Sequence, residues 1–510
     1  MQRDRRMEAG GEPPFPPGPE SGVTDPAPSA PGSSMTAALP TQSDQRVRFA
    51  LMWVIPILVA ALVSFAPPVL NDGDSFWHVS AGRWMLDHRT VPHTDPFTYT
   101  FAGKPWVAHE WLSEVFMALA WLAAGWSGVM LLAGLAMGAL AAVMGRWLIR
   151  WMPAPGALLA LVLALAGVAP GLLARPHLFV LPILALWTVG LLQARDEGRA
   201  PSPWLIPLMA LWANMHGSFI IGLALGGGFF LETLLDVRRW RRRVIVGWAV
   251  VLGASVLATL ATPQGLEGLL FPFQLLNMKT LIGVGEWRAP DFITPDPLEF
   301  EILVGLLLLF WRGARLTAVR ALIGIGLLHS TLQHVRQEML LAVVAPLIAA
   351  EALGRTMQVS TPRPTPWRLP VPQMALGAGL AAVLMVARVA VPQNRTDAAS
   401  APISALAAVP APLRVQPVLN DYDFGGYLIF KGVKPFVDGR TDMFGDAFLS
   451  ADQAIERGDA AAAAAAIGRW HIRWAIFRPE RGAIRAMDSM AGWKRLHTDK
   501  YAIVWEKVAP

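Results

Sequence analysis

Residues 71–112 read NDGDSFWHVSAGRWMLDHRTVPHTDPFTYTFAGKPWVAHEWL, a polar and aromatic stretch between two strongly apolar ones. This stretch holds four aspartates, four histidines, one glutamate and four tryptophans. Ionisable groups beside a bilayer are costly unless they bind or react with something. The stretch therefore indicates a loop between membrane segments, and it is the place where function should be sought.

The composition of the chain is that of a polytopic membrane protein. Of its 510 residues, 54% are hydrophobic and 16% charged, and the mean hydropathy is +0.43. The net charge of +6 is spread over short basic clusters between apolar runs, as topology signals are, so we expect no nucleic-acid partner. Because the chain has no cysteine, disulfides and cysteine metal sites are excluded.

Apolar segments near the roughly 20 residues that span a bilayer recur along the chain. They lie at 48–70, 110–124, 128–149, 156–170, 176–193, 203–215, 218–235, 244–261, 301–311, 318–332, 339–350 and 373–391. Basic clusters such as 238–243 should face the cytoplasm, which leaves the C-terminus outside. An external C-terminus needs an odd number of crossings. We therefore expect about 11 transmembrane helices, with one of the short segments 110–124 and 156–170 not crossing.

The chain divides into three parts. Residues 1–46 are rich in Pro, Gly and Ser and are predicted to be a disordered cytoplasmic tail. Residues 47–392 form the all-α transmembrane domain, with external loops at 71–109 and 262–298. Residues 393–510 mix predicted strands at 414–419, 434–437, 473–477 and 501–506 with an alanine-rich helix at 459–467, which is typical of a small extracytoplasmic α/β domain.

Asp72 and Asp74 flank Gly73 at the start of the first external loop. In extended backbone, residues i and i+2 point to one side, so the two carboxylates would form a pair. Such a pair suits Mg²⁺ or Mn²⁺, and either carboxylate could instead serve as a general base or hold an acceptor hydroxyl. The same residues also make a good plain turn, which is the competing interpretation.

Two arginines, Arg175 and Arg336, are predicted near external helix ends, where a guanidinium group would meet a lipid phosphate. The competing interpretation is that both side chains snorkel toward the interface. Further polar and aromatic candidates for substrate binding follow from the same external surface. They are Trp77, His78, Asp95, His109, Glu110, Asn214 and His216.

Each of these candidates also has a structural interpretation. The tryptophans would anchor the loop in the interface, and Asn214 and His216 would satisfy helix ends at a tight turn. The loop histidines His78, His88, His93 and His109 lack an HxxxH or HxH spacing, so a histidine metal site is not predicted.

The loop pattern resembles that of bacterial GT-C-like polytopic membrane glycosyltransferases. The resemblance extends over nearly everything after residue 48. It continues in RPH at 175–177, WANMHG at 212–217, TPQG at 262–265, EW at 286–287, NDYDFGGY at 420–427 and VDGR at 437–440.

The resemblance implies an enzyme of the bacterial cytoplasmic membrane. It would transfer a sugar from a polyprenyl-phosphate-linked donor to an acceptor at the outer face, with membrane lipids around it. The catalytic acid of the first loop would be Asp72 or Asp74, completed by Glu286 or Asp291 from a later loop. A divalent metal is used by many such enzymes but not by all.

A non-catalytic scaffold or a transporter in envelope assembly is the alternative function. The charged residues gather in external loops and no inverted repeat is evident, which argues against a transporter. For a scaffold, the discriminating observation is distance. If Asp72 and Asp74 lie far from Arg336 and Glu286, no shared site exists.

Overall fold

The computed structural model describes residues 49–508, apart from 238–239, 284, 294–295, 358 and 360–370. The predicted tail at 1–46 lies outside the described residues, as does part of the basic cluster at 238–243. What the structure describes is mainly helical, with one small sheet near the C-terminus.

Helices α1 to α13 form the apolar part of the described chain. Their bounds are α1 Ala50–Ser64, α2 Asp74–His88, α3 Trp111–Trp151, α4 Ala154–Val168, α5 Pro176–Asp196, α6 Leu205–Met215, α7 Phe219–Leu235, α8 Arg242–Ala258, α9 Leu266–Leu276, α10 Pro297–Arg312, α11 Ala318–Gln333, α12 Glu338–Thr356 and α13 Val371–Ala390. Every predicted apolar segment falls on one of these helices.

Four helices are long and apolar enough to cross a membrane, judged by length and composition. They are Trp111–Trp151, Ala154–Gly171, Pro176–Asp196 and Val335–Thr356. Shorter apolar helices include α1, α6, α7 and α9. The total of about 11 crossings therefore stays a prediction.

Helix α3 joins two segments that the sequence analysis separates. It breaks at Ala124 and Gly125, and Gly125 has a φ of +58°, which favours glycine. Before the break, Trp121 lies 4.9 Å from the guanidinium of Arg83 in α2 and 5.5 Å from the ring of Phe430. Because this half packs on α2 and on the C-terminal region, it favours 110–124 as the segment that does not cross.

The crossing of α1 and α3 depends on two glycines spaced four residues apart. A Cβ on Gly134 would lie 2.4 Å from the carbonyl oxygen of Ala60, and one on Gly138 would lie 2.8 Å from that of Pro56. Small residues at this spacing let helix backbones approach closely. The close crossing fixes α1, and the end of α1 leads directly into the turn that carries Asp72.

The C-terminal region is a four-stranded sheet with flanking helices. Strand order is β1-β2-β4-β3, with β1 and β2 parallel and the other pairs antiparallel. The elements are α14 Ile403–Ala408, α15 Ala411–Arg414, β1 Val418–Asn420, α16 Gly425–Phe430, α17 Thr441–Arg457, α18 Ala460–Trp470, β2 Trp474–Phe477, α19 Ala483–Ser489, β3 Trp493–Thr498 and β4 Ile503–Lys507.

The predicted strands at 414–419, 473–477 and 501–506 correspond to β1, β2 and β4, and the helix at 459–467 corresponds to α18. The predicted strand at 434–437 is wrong. This segment is held by one side chain: Phe436 N donates to Asn420 Oδ1, and Asn420 Nδ2 donates to the carbonyl of Val437. An amide side chain thus replaces the backbone partner that a strand would need.

Close backbone contacts seat the C-terminal region on the first loop. A Cβ on Gly426 would lie 2.2 Å from the carbonyl oxygen of Gly73. Arg440 is buried between Asp438, at 2.6 Å, and Asp95, at 2.8 Å. The NDYDFGGY and VDGR motifs therefore position the first loop, which explains why the two regions carry related patterns.

Candidate functional site

The turn before α2 directs its two carboxylates at one arginine. Asp72 accepts hydrogen bonds from Ser75 N at 3.1 Å and from Arg175 Nε at 2.7 Å, and Arg175 Nη2 meets its other oxygen. Asp74 Oδ2 lies 3.1 Å from Arg175 Nη1. The predicted pair exists, but Gly73 is helical (φ −75°, ψ −30°) rather than extended, and the fork of Arg175 brings the carboxylates together.

Backbone contacts place Arg175 where this fork is needed. The preceding residue, Ala174, donates its N–H to the carbonyl of Val69 at 2.8 Å and accepts from Ser75 Oγ at 3.2 Å. Pro176 then begins α5, and proline at the first helical position suits an abrupt helix start. Arg175 is thereby fixed at the mouth of the bundle rather than free to extend toward the lipid.

The two aspartates differ in their protonation. Burial alone would raise the pKa of Asp72, but the charge and hydrogen bonds of Arg175 outweigh it and lower the pKa to about 2. Burial raises the pKa of Asp74 to about 7; Arg175 opposes this shift, while the charges of Asp72 and Glu286 add to it. Asp72 is therefore a permanent anion, and Asp74 exchanges a proton near neutral pH.

Glu286 lies between the two predicted phosphate-binding arginines. Its carboxylate is 3.3 Å from Arg175 Nη1 and 3.0 Å from Arg336 Nη1. Arg336 also stacks over the ring of Trp287 at 4.9 Å. Two backbone-directed contacts fasten these segments, since Val335 N donates to the carbonyl of Arg288, and His334 Nδ1 lies 2.7 Å from the carbonyl oxygen of Trp287.

A second polar group surrounds Glu110 at the start of α3. Glu110 is 3.2 Å from His216 Nε2, 3.6 Å from His109 Nε2 and 3.9 Å from His78 Nε2. His78 Nδ1 is 3.2 Å from Glu114 Oε1. Glu110 and Glu114 share one helix face because they are four residues apart.

Burial sets the charges within this second group. It lowers the pKa values of His78 and of His216 to about 3, so both imidazoles are neutral at pH 7. Burial acts against the charge of Glu110, but the neighbouring charge of His109 outweighs it and holds the pKa of Glu110 well below its usual value. The pKa of His109 is raised in return: burial opposes this, and Glu110 more than offsets it.

A cavity joins the two groups and encloses about 700 Å³ of space, part of it open to solvent. Its walls come from the first loop, the loop at 262–298, the starts of α3 and α5, and the C-terminal region. The titratable side chains that line it are Asp74, His78, His109, Glu110, Glu114, Arg175, His177, His216, Glu286, Arg336 and Asp442. Trp77 lines it as well.

Asp72, Asp95 and Asn214 do not line this cavity in the part of the chain that the structure describes. Asp72 lies behind Arg175. Asp95 is buried, accepting from the backbone N–H groups of Phe97 and Thr98 and from Arg440, and it therefore supports the loop.

Asn214 fastens helix ends to one another. It accepts from Trp111 Nε1 at 2.9 Å and donates to the carbonyl oxygens of Ala210 and Ala261. These bonds tie the start of α3 to α6 and to the end of α8. This is the structural interpretation that the tight turn at 214–217 suggests.

Three cavity residues, Glu114, His177 and Asp442, are absent from the sequence-based candidates. A signal existed for Glu114: the run HEWLSE places two carboxylates four residues apart at a predicted helix start. His177 is within the RPH motif but was overlooked beside Arg175. No local pattern singles out Asp442, which reaches the cavity only because the C-terminal region packs there.

Among the described residues, His78, Glu110 and Glu114 have the geometry of a metal site. Each offers one ligand atom, and these atoms all lie within 4.8 Å of one another. Glu114 Oε2 is buried without a hydrogen-bond partner in the described structure, as an oxygen that awaits a cation would be. By contrast, Asp72 and Asp74, the predicted Mg²⁺ or Mn²⁺ ligands, are both engaged by Arg175.

No known protein family and no curated protein matches the chain by sequence. The structure is similar to the oligosaccharyltransferase of Archaeoglobus fulgidus tethered with an acceptor peptide: TM-score 0.50, 11% identity, over 85% of this chain and 69% of that chain. It is also similar to ArnT from Cupriavidus metallidurans bound to undecaprenyl phosphate: TM-score 0.48, 13% identity, over 92% of this chain and 99% of that chain.

At 11% identity, the likeness to the oligosaccharyltransferase shows the fold alone. The chain has a GT-C-like helical membrane fold with a small C-terminal sheet. The fold class implied by the sequence resemblance is confirmed at this level.

Proposed function

We propose that the chain is an integral membrane glycosyltransferase, moving a sugar from a polyprenyl-phosphate-linked donor to an acceptor at the outer face of the membrane. The observation that carries the proposal is the cavity in which an aspartate of near-neutral pKa, two guanidinium groups and a histidine–glutamate group meet. The fold supports the class, since the similar A. fulgidus protein is an oligosaccharyltransferase.

Asp74 is the general base of the proposed reaction, and Asp72 positions it. Of the Asp72 side chain only 4% is exposed, with both oxygens held by Arg175 and Ser75, whereas Asp74 is 21% exposed and faces the cavity. A base works best when its pKa lies near the working pH, as that of Asp74 does. Asp74 takes the proton of the acceptor hydroxyl as the acceptor oxygen bonds to the sugar carbon.

Arg336 receives the departing phosphate. It is held by a single carboxylate, that of Glu286, and 28% of its side chain is exposed, whereas Arg175 is shared among Asp72, Asp74 and Glu286. As the bond between sugar and phosphate breaks, the phosphate keeps the bonding electrons, and a preorganised guanidinium stabilises that charge. The donor phosphate replaces the carboxylate of Glu286 on Arg336.

The proposed orientation has the N-terminus in the cytoplasm and residues 393–510 outside, in a bacterial cytoplasmic membrane with about 11 crossings. Helix α5 supports this orientation. Arg175 precedes it at the cavity, and Arg195 lies near its other end, 3.0 Å from Asp236. Twenty helical residues rise about 30 Å, the thickness of the hydrocarbon core. The basic cluster thus lies one membrane thickness from the site.

The scaffold alternative predicts that the acidic and basic candidates lie apart. Instead, Asp72, Asp74 and Glu286 all contact Arg175, and Glu286 contacts Arg336. The distances therefore favour an enzyme. A scaffold that keeps this geometry without turnover is left to the assay.

The test is sugar transfer by the purified full chain in detergent, with a panel of polyprenyl-phosphate sugars and labelled acceptor extract. Wild type should release polyprenyl phosphate, and Asp74→Asn should reduce the rate by at least about 100-fold, the lower end of what general base catalysis contributes. Asp87→Asn is the matched control, because Asp87 is an exposed residue of the same helix.

Asp72→Asn should lower the rate less than Asp74→Asn, because it loosens Arg175 without removing the base. Equal activity of wild type and Asp74→Asn would overturn the assignment of the base. If wild type binds no lipid-linked sugar, the scaffold function is favoured.

A further inference from the structure

The least satisfied polar atom of the cavity belongs to Glu114. Its side chain is 1% exposed, its Oε1 lies 3.2 Å from His78 Nδ1, and its Oε2 has no hydrogen-bond partner among the described residues. A buried carboxylate oxygen without a partner is costly, and native structures supply such an atom with a proton donor, a water or an ion.

The surroundings of Glu114 are unusual in the charges they provide. The ion pairs of Glu110 and Glu114 in the described structure are all with histidines. The arginines of the cavity, Arg175 and Arg336, are ion-paired with Asp72, Asp74 and Glu286 instead. The two glutamates therefore form a separate, negatively charged end of the same cavity.

We propose that His78, Glu110 and Glu114 bind a divalent transition-metal ion of the Mn²⁺ or Zn²⁺ class. Their ligand atoms lie within 4.8 Å of one another, close enough to converge on one ion with small side-chain movements. One imidazole and two carboxylates make a mixed nitrogen and oxygen ligand set, which suits Mn²⁺ and Zn²⁺ better than Mg²⁺ or Ca²⁺.

The neighbours of Glu110 act as an outer shell for this site. His216 and His109 both approach Oε1 of Glu110, at 3.2 and 3.6 Å, which leaves Oε2 directed at His78. Outer-shell partners of this kind fix the orientation of a metal ligand. His216 is fixed in turn by Ser218, whose Oγ is 2.8 Å from His216 Nδ1.

The location gives the metal a role that rests on the proposed function. The cavity places His78, Glu110 and Glu114 at the end away from the guanidinium groups that would hold phosphate. A bound ion there would supply a Lewis-acidic contact for hydroxyl groups of the acceptor or sugar. The Asp72–Gly73–Asp74 turn would then hold no metal, because Arg175 occupies both carboxylates.

The test measures metal binding without any sugar transfer. Full-length protein without a histidine tag is stripped with EDTA in detergent and titrated with Mn²⁺ alone or Zn²⁺ alone. Free Mn²⁺ is read by electron paramagnetic resonance, and bound metal by elemental analysis after gel filtration. Wild type should bind about one equivalent, and Glu114→Gln and His78→Gln should each weaken binding by at least about tenfold.

Two further variants make the test decisive. Asp74→Asn should bind metal like wild type, because Asp74 is at the other end of the cavity. Metal should also raise the melting temperature of wild type and of Asp74→Asn but not that of Glu114→Gln, since an ion that binds only the folded state stabilises it. A melting curve without metal shows whether each variant is folded.

The outcomes separate this proposal from the proposed function. Wild type that transfers sugar yet binds no metal overturns the metal site alone. Metal bound equally by Glu114→Gln and wild type overturns it too, as does loss of metal in Asp74→Asn but not in Glu114→Gln. Metal bound as predicted by a protein that turns over no donor supports the site and counts against the glycosyltransferase.

Discussion

Asp74 lies against Gly439 so closely that a Cβ on residue 439 would be 1.8 Å from Asp74 Oδ1. The C-terminal region therefore fixes the side chain that we assign as base. Gly439→Ala should displace the carboxylate of Asp74 and reduce the rate of sugar transfer by roughly 100-fold, since misplacement of a reacting group by about 1 Å costs that much. The measurement is kcat for sugar transfer in detergent.

The control is Gly468→Ala in helix α18, where a Cβ would meet no atom within 4 Å. Alanine in a helix interior is favoured over glycine by about 1 kcal/mol, so this variant should be slightly more stable and fully active. Full activity of Gly439→Ala would show that the C-terminal region does not position Asp74.

Glu286 should compete with the donor phosphate for Arg336. In Glu286→Gln the carboxylate that holds Arg336 at 3.0 Å loses its charge. We expect the KM for the donor to fall roughly tenfold, about 1.4 kcal/mol of binding. Steady-state kinetics with varied donor concentration measures it, with Glu267→Gln as control, because Glu267 is an exposed residue of the same loop. A lower kcat with unchanged KM would assign Glu286 a direct part in the chemistry instead.

The membrane fold and the location of the site were accessible from sequence because both depend on local patterns. Apolar runs of sufficient length and a polar loop between them mark helices and the external face. Asp74, Arg175, Glu286 and Arg336 meet in one cavity because each lies at a helix end on that face. The sequence could not order Asp72 and Asp74, since only the packing shows which of them Arg175 covers.

Other contacts depend on long-range packing that no local pattern encodes. Asp95 is a polar loop residue like its neighbours, and only the arrival of Arg440, 345 residues later, makes it a buried anchor. The segment at 434–437 has a strand-like composition, yet Asn420 takes the hydrogen bonds that a neighbouring strand would supply. The second polar group escaped prediction because His78 and Glu114 meet across two helices rather than along one motif.

The buried charge pair that seats the C-terminal region should matter for stability. Arg440 is 1% exposed and lies between the carboxylates of Asp95 and Asp438, both fully buried. Arg440→Met leaves two buried carboxylates without their cation, and breaking such a pair costs about 3–5 kcal/mol. Thermal unfolding in detergent should show a clearly lower melting temperature, whereas Arg457→Met at an exposed position should not. An unchanged melting temperature would mean that the two regions are held together by other contacts.

The pH dependence of sugar transfer should report the protonation of Asp74. Burial raises the pKa of Asp74 to about 7, Arg175 opposes this shift, and the charges of Asp72 and Glu286 add to it. The base acts as a carboxylate, so kcat/KM should rise about tenfold per pH unit below that pKa and level off above it. The profile is measured from about pH 5 to about pH 9, a range that spans the transition.

The Glu286→Gln variant gives this profile a second check, with the sign fixed by electrostatics. It removes one of the negative charges that disfavour ionisation of Asp74, so the midpoint should move to lower pH. The residual activity of Asp74→Asn should lack the limb altogether, because its amide does not titrate. A limb that persists in Asp74→Asn, or a midpoint that moves upward in Glu286→Gln, would assign the titration to another group of the cavity.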